Sequence, residues 1–287
     1  MASPLLILLL ILLGLALLAL LLWWLLIKTE GVYLGRGVVI WLYDLYASRY
    51  ESIKGYEDST EAYYLARPIL QRLAPNSAPM VLDVATGTAR LPRALTRQSE
   101  FQGRVVALDL SRDMLHYGAG RVAEVMHDER VYLLHAPAEQ LPFPDASFDL
   151  VTCLEALEFM RQPKAVLAEL IRVTRPGGLL VLTNRRGMDA KLMPFKTWDD
   201  ESAYALYQKE LGLEKVEIAA WQFDYDLVWA YKPGDSLPVR ARALEEVWCC
   251  PRCAQVAMQR NEGGYHCGEC GQAVPIAADG VIEHWGR

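Results

Sequence analysis

Two apolar runs that each end in an aspartate constrain this chain more than any other feature. Val81-Leu-Asp-Val-Ala-Thr-Gly-Thr-Ala-Arg90 passes from an apolar run into an acid and a glycine turn, followed by a helix-forming stretch. Twenty-six residues beyond Asp83, Val105-Val-Ala-Leu-Asp109 ends in a second carboxylate. A parallel α/β sheet places an acid at such a second strand end, where it accepts ribose hydroxyl protons. The expected fold is α/β, with a ribose-bearing ligand at the strand ends. The competing reading is a plain strand-turn-helix in which both acids cap the helices that follow.

The glycine loop narrows the ligand. A dinucleotide fingerprint needs glycines for the tight turn, for close approach to the pyrophosphate and for helix packing. This loop offers Ala85, Gly87 and Arg90 at those places, which argues against NAD and FAD. S-adenosylmethionine (SAM) carries an adenosine and no pyrophosphate, so a single glycine beside its methionine end can suffice.

The order of later segments sharpens this reading. A polar, proline-punctuated loop follows His135 and leads to a strand that begins near Phe148. A helix-forming stretch from Pro163 to Val173 precedes Arg175-Pro-Gly-Gly178 and the apolar run Leu179 to Thr183. Leu211 to Ile218 and Tyr225 to Pro233 read as closing strands. From Tyr43 to Pro233 the chain resembles the class I SAM-dependent methyltransferases, in particular the ubiquinone/menaquinone-biosynthesis C-methyltransferase-like group. The resemblance implies a Rossmann-like seven-stranded sheet. It also implies that Asp83 and Gly87 line the methionine end of SAM, that Ala85 and Thr88 are among the cofactor-binding residues, and that Asp109 holds the ribose. Leu110 and Met114 would flank the adenine, Ala138 and Glu139 would read its amino edge, and Cys153 would lie near the methyl group. Met114 as ordinary core and Cys153 as a small hydrophobe are the plainer readings. The chain departs from the family at Ala85 and Ala89, where glycine is common, and at Pro137, which replaces an acid and lacks a backbone donor.

Methyl transfer from a sulfonium is an in-line displacement, so alignment and exclusion of water supply much of the acceleration. A general base is needed only if the acceptor must lose a proton first. No catalytic residue is assigned from the sequence. Thr152-Cys-Leu-Glu-Ala-Leu-Glu158 lacks the Asn/Asp-Pro-Pro-Tyr pattern of amino-group methylases, which counts against adenine or glutamine acceptors. Glu155 and Glu158 are candidates to face the substrate, with a solvated helix face the alternative for Glu158. Tyr43 to Glu51 is similar to the aromatic N-terminal helix that closes over the cofactor in this family. Tyr46 and Tyr50 are expected on one helical face, as packing or as a lid. His116 is expected at the surface.

Cys250-Pro-Arg-Cys253 and Cys267-Gly-Glu-Cys270 form paired C-x2-C knuckles thirteen residues apart. This is the pattern of a structural zinc site, in which four thiolates leave no open position for water. Iron is the alternative metal and a disulfide pair the alternative bonding. Cys249 is a spare thiol, and His266 is a weaker candidate ligand. The segment around the knuckles is similar to small zinc-ribbon proteins that activate tRNA and protein methyltransferases. A protein partner bound through the ribbon is therefore one reading, and packing against the methyltransferase domain is the plainer one. A net charge of −6 and the absence of a basic run after Trp248 argue against a nucleic-acid partner.

Leu5 to Ile27 is an uncharged, leucine-dominated run of twenty-three residues. As a helix it reaches about 34 Å at about 1.5 Å per residue, enough for a hydrocarbon core of about 30 Å. A cleaved signal peptide is the rival, yet no basic segment precedes the run, and Trp23, Trp24 and Lys28 resemble an interfacial belt. Lys28, Arg36, Arg49 and Lys54 all follow it, so the positive-inside rule predicts a single-pass protein of the cell membrane whose catalytic domain faces the cytoplasm. The organisation expected is an anchor at 1–28, a juxtamembrane segment at 29–42, the SAM domain at 43–233, a linker at 234–243 and the ribbon at 244–287. The expected function is methyl transfer to a small lipophilic acceptor, quinone-like or lipid. An RNA or protein methyltransferase that uses the ribbon for recognition, and a non-catalytic SAM-binding scaffold, are the alternatives.

Overall fold

The protein, seen in a computed structural model, is described for residues 3–125 and 130–284. It begins with an exposed apolar helix, α1 (Pro4–Trp23), continued by a wider helical turn at Trp24–Lys28. Proline in its first turn and the Ser3 hydroxyl, which accepts the Leu6 N–H at 3.3 Å, start it cleanly. Within the Pro4–Lys28 helix, an apolar window with a mean hydropathy of 3.4 has none of its residues buried in the protein. Four short helices follow: α2 (Arg36–Tyr46), α3 (Tyr50–Lys54), α4 (Asp58–Glu61) and α5 (Arg67–Leu73).

The sheet that positions the site is built from β1 (Met80–Val84), β2 (Arg104–Asp109), β3 (Val131–His135), β4 (Phe148–Cys153), β5 (Thr174–Arg185), β6 (Glu214–Ala220) and β7 (Tyr225–Tyr231). Its order is β3-β2-β1-β4-β5-β7-β6, with β7 antiparallel to both of its neighbours. α6 (Arg90–Thr96), α7 (Arg112–Val125) and α8 (Pro163–Val173) are the crossover helices. β1 is buried along its whole length, and its side chains divide by the strand period of two. Met80, Leu82 and Val84 face the α8 side, and Val81 faces α5 and α6. The chain leaves β1 toward β2 on one side and reaches β4 on the other. The crevice outside the carboxyl ends of β1, β2 and β4 is therefore the place where open α/β sheets bind ligands.

The C-terminal segment folds as a three-stranded antiparallel sheet, β8 (Met258–Asn261), β9 (Gly264–Cys267) and β10 (Ala273–Pro275). It shares the core on the α8 face through Leu244, Val247 and Trp248. Trp248 is fully buried, packs edge-on against Tyr265 and donates its indole N–H to His284 Nδ1 at 3.0 Å. Residues 234–243 run across the amino-terminal ends of the strands, opposite the crevice. There the Ala241 N–H donates to the Ala78 carbonyl at 2.7 Å and the Val239 N–H to Asp149 Oδ1 at 2.9 Å. Beyond β10 the chain returns to the edge of the large sheet. The Ile282 N–H donates to the Leu133 carbonyl and the His135 N–H to the Ile282 carbonyl, both at 2.9 Å. This parallel bridge covers the edge that β3 would otherwise expose.

Candidate cofactor site and four-thiolate cluster

Asp83, 3% exposed at the end of β1, accepts hydrogen bonds from Thr152 Oγ1 at 2.5 Å and Thr86 Oγ1 at 2.6 Å. Burial pushes its carboxyl up to about 6 despite both hydroxyl donors. Asp109 at the end of β2 takes the Gly87 N–H at 2.7 Å and the Ser111 N–H at 2.8 Å, one on each oxygen. Its pKa is also raised by burial, against the pull of these amides. The loop between β1 and α6 is shaped by three left-handed residues, Ala85 at φ 56°, Gly87 at φ 57° and Ala89 at φ 58°. The two alanines thus occupy positions that favour glycine. A further glycine fixes the loop from outside. A Cβ on Gly118 would lie 3.1 Å from the Thr88 backbone, so α7 approaches this turn closely because residue 118 has no side chain.

A largely apolar cavity opens at these strand ends. Ala85, Gly87, Asp109, Leu110, Met114, Ala138 and Glu139 all line it. Asp83 and Thr88 line a smaller polar cavity next to it, with Gly87 and Ala85 common to both. Cys153 lines neither. It is fully buried, in register with Val84 and Leu182, and burial pushes its thiol well above the ordinary range. Glu139 offers one oxygen to Arg36 at 3.3 Å, while its Oε1 is buried with no hydrogen-bond partner among the described residues. An orphan acceptor in an apolar slot suits an incoming amino group. This atom, the Asp109 carboxylate and the bare backbone at Gly87, which faces the Tyr50 ring, together fit an adenosine ligand.

The segment before β1 forms the outer wall. Tyr43 and Tyr50 face the cavity with ring centroids 5.9 Å apart, and Phe159 lies edge-on to Tyr43 at 5.6 Å. Tyr46, which helical spacing pairs with Tyr50, is 39% exposed and does not line the cavity, because a 3-10 turn at Ala47–Arg49 separates α2 from α3. Carboxylates fasten this wall. Glu51 accepts Arg93 Nη2 at 2.5 Å and Thr88 Oγ1 at 2.8 Å.

Glu155 lies between the two cavities and is held by Arg90 at 3.0 Å, Gln222 at 3.0 Å and Tyr56 at 2.9 Å. Burial alone would raise its carboxyl, yet Arg90 and Lys54 hold it below the usual range. Arg90 stacks on Tyr56 at 4.0 Å and pairs with Glu61 at 3.3 Å. Glu158 is 2% exposed, not on a solvated helix face. The Tyr225 hydroxyl donates to it, Arg185 lies 3.4 Å away, and burial raises its pKa. His116 is exposed, as expected, and contacts Asp279 at 2.8 Å.

At the other end of the chain, the sulfurs of Cys250, Cys253, Cys267 and Cys270 lie within 4.8 Å of one another. The Cys250–Cys270 and Cys253–Cys267 separations are 3.6 Å. A tetrahedron with metal–sulfur bonds of about 2.3 Å has edges of about 3.8 Å, so these four thiols fit a closed metal shell. Cys249 stands outside the cluster, its N–H donated to the Pro142 carbonyl at 2.8 Å. His266 lies near Asn261 at 3.4 Å and is not part of the cluster.

Fold and cavity define a class I SAM-dependent methyltransferase domain. Residues 82–182 match the family described as "Methyltransferase domain". The chain is related to quinone C-methyltransferases. It is 41% identical over 176 residues to the demethylmenaquinone methyltransferase of Clavibacter sepedonicus, covering 60% of this chain and 66% of that one. It is 36% identical over 102 residues to the ubiquinone/menaquinone biosynthesis C-methyltransferase of Hahella chejuensis, covering 36% of this chain and 41% of that one. The chain thus spans between about two fifths and two thirds of the length of these curated relatives. Among solved structures, a SAM-dependent methyltransferase from Aquifex aeolicus shares the fold at a TM-score of 0.51 and 21% identity, covering 65% of this chain and 98% of that one.

Proposed function

We propose that this protein transfers a methyl group from SAM to a small lipophilic acceptor, quinone-like or lipid, while anchored in the membrane by α1 with its catalytic domain in the cytoplasm. The observation that carries the proposal is the composition of the cavity wall. Val39, Ile40 and Tyr43, all within twenty residues of the apolar helix, close an apolar chamber over the acid-tipped strands. The relatedness to quinone C-methyltransferases supports the acceptor class.

Bound SAM supplies an electrophilic methyl group on a sulfonium, and the chain's own residues do the rest. Asp109 would hold the ribose hydroxyls, and the Glu139 Oε1 would accept from the adenine amino group, with Leu110, Met114 and Ala138 around the ring. Asp83 and the Thr86–Thr88 turn would hold the methionine end. Tyr43, Tyr50 and Phe159 on the wall would help to keep water from the bound methyl group, which favours the alignment on which an in-line displacement depends. Methylation of an acceptor carbon would leave S-adenosylhomocysteine as the thioether and release a proton from that carbon to solvent. The four thiolates would bind zinc as a structural ion that holds β8 to β10 together.

The test compares full-length protein with a variant lacking residues 1–28 on membrane-lipid extracts, using labelled SAM. Faster transfer by the full-length protein at equal SAM occupancy is the expected result. Equal rates would remove the anchor from substrate delivery.

A further inference from the structure

Outside the chamber, a second concavity lies where α1's extension meets α2 and α3. Its floor and sides are Leu26, Ile27, Leu42, Tyr46 and Ile53, with Glu30 and Lys54 at the polar margin. Tyr43 and Tyr50 line it as well, and the same two residues line the cofactor chamber. The two spaces therefore share one wall. On the far side of that wall the chamber also holds Gly87, over which a Cβ would come within 3.9 Å of the Tyr50 ring.

The shared wall is latched from the membrane side. The Tyr43 hydroxyl donates to Glu30 Oε2 at 2.9 Å, and Glu30 Oε1 lies 3.4 Å from Arg185 at the end of β5. The Trp24 and Tyr33 rings stack at 5.4 Å, and the Tyr33 hydroxyl donates to the Leu192 carbonyl. The end of the apolar helix is thus fixed to the catalytic domain rather than joined to it by a free tether. Ile53 keeps 62% of its surface exposed, and Ile27 keeps 52%, so the groove offers unpartnered apolar surface that starts in the helix itself.

We infer that this groove is the acceptor's access route: it takes the apolar tail of a lipid-soluble acceptor from the bilayer and delivers its head past Tyr43 and Tyr50 to the chamber. The inference rests on the proposed lipophilic acceptor and names the part of the protein that would recognise it. The wall shared by the two spaces decides the occupant. One end of the groove is built from Leu26 and Ile27 of the apolar helix, and the other from rings of the chamber. A flexible hydrocarbon tail can lie along such a strip without leaving apolar surroundings, which a soluble substrate does not require. The Glu30–Tyr43 bond gives the passage a polar latch beside the reacting head.

The experiment uses full-length protein in lipid nanodiscs and a hydroquinone carrying a sixteen-carbon tail with a terminal diazirine. Irradiation followed by peptide mass spectrometry should place adducts between residues 26 and 53. An unlabelled tailed hydroquinone should displace them, and a tail-less one should not. Ile53→Arg, at an exposed position, should raise the ratio of KM for the tailed acceptor to KM for the tail-less acceptor roughly tenfold, the scale of one lost apolar side-chain contact. Adducts elsewhere, or adducts that the tailed competitor does not displace, would overturn the groove even if methyl transfer proceeds. Displaceable adducts in the groove without methyl transfer to either hydroquinone would uphold the groove and instead count against the proposed reaction.

Discussion

Asp83 is the residue whose chemistry is easiest to interrogate. Its carboxyl titrates near 6 because burial disfavours the charged form, whereas in an unfolded chain it titrates at about 3.9. A raised acid favours the fold while protonated. Its contribution is therefore full below about pH 4 and is lost as pH rises through about 6. A cationic ligand reverses the preference, since only the ionised carboxylate attracts it. SAM affinity measured by titration calorimetry should rise between pH 5 and pH 7, and Asp83→Asn should flatten that rise; an unchanged profile in the variant would remove Asp83 from the cofactor site.

Ala85 carries a different signature of the same loop. Its left-handed backbone costs roughly 1–2 kcal/mol, and a glycine there loses roughly 0.5–1 kcal/mol in unfolded-chain entropy. Ala85→Gly should thus raise the melting temperature by about 2–4 °C, as read by differential scanning fluorimetry. The acids at 83 and 109 were legible in the sequence because each terminates an apolar run. Glu158 was not, since the partners that bury it, Arg185 and Tyr225, lie twenty-seven and sixty-seven residues away.

Among the elements, the three-stranded ribbon contributes more to the large sheet than cysteine spacing alone announces. The knuckles declare the thiolate cluster, and the Asp279-Gly-Val-Ile282 segment reads as part of the ribbon; its backbone pairs both with Ile276 beside β10 and with β3 of the large sheet. Local pattern holds no sign that a short segment will bridge two sheets. Two ion pairs and a hydrogen bond seal the contact: Arg112 reaches Asp279 at 2.9 Å and Glu283 at 2.5 Å, and His135 Nδ1 lies 2.9 Å from Glu283 Oε2. Ile282→Pro, which deletes the N–H given to Leu133, should cost about 1–3 kcal/mol and sharply reduce hydrogen-exchange protection of the His135 amide. Metal removal should act on the same contact. Cys253→Ser, or a strong chelator, should open the ribbon and shift Trp248 emission to longer wavelength, because that indole is fully buried only while the ribbon is packed. The break between α2 and α3 also escaped sequence spacing. The 3-10 turn at Ala47–Arg49 puts Tyr43, seven residues from Tyr50, on the cavity wall in place of Tyr46.

Taken whole, the molecule would join an apolar helix and a SAM domain in one device for a membrane-soluble acceptor. The architecture was legible in outline: apolar run, acid-tipped strands and paired knuckles each announce themselves locally. What joins them does not, because Glu30, Arg185 and Tyr43 meet only through tertiary packing. The most direct measurement incubates full-length protein in mild detergent with methyl-labelled SAM and with separated lipid, RNA and protein fractions, beside an Asp109→Ala control. Label entering the lipid fraction, and at least tenfold less of it with the control, is the expected result. Label in RNA or protein, or no transfer despite measurable SAM binding, would contradict it.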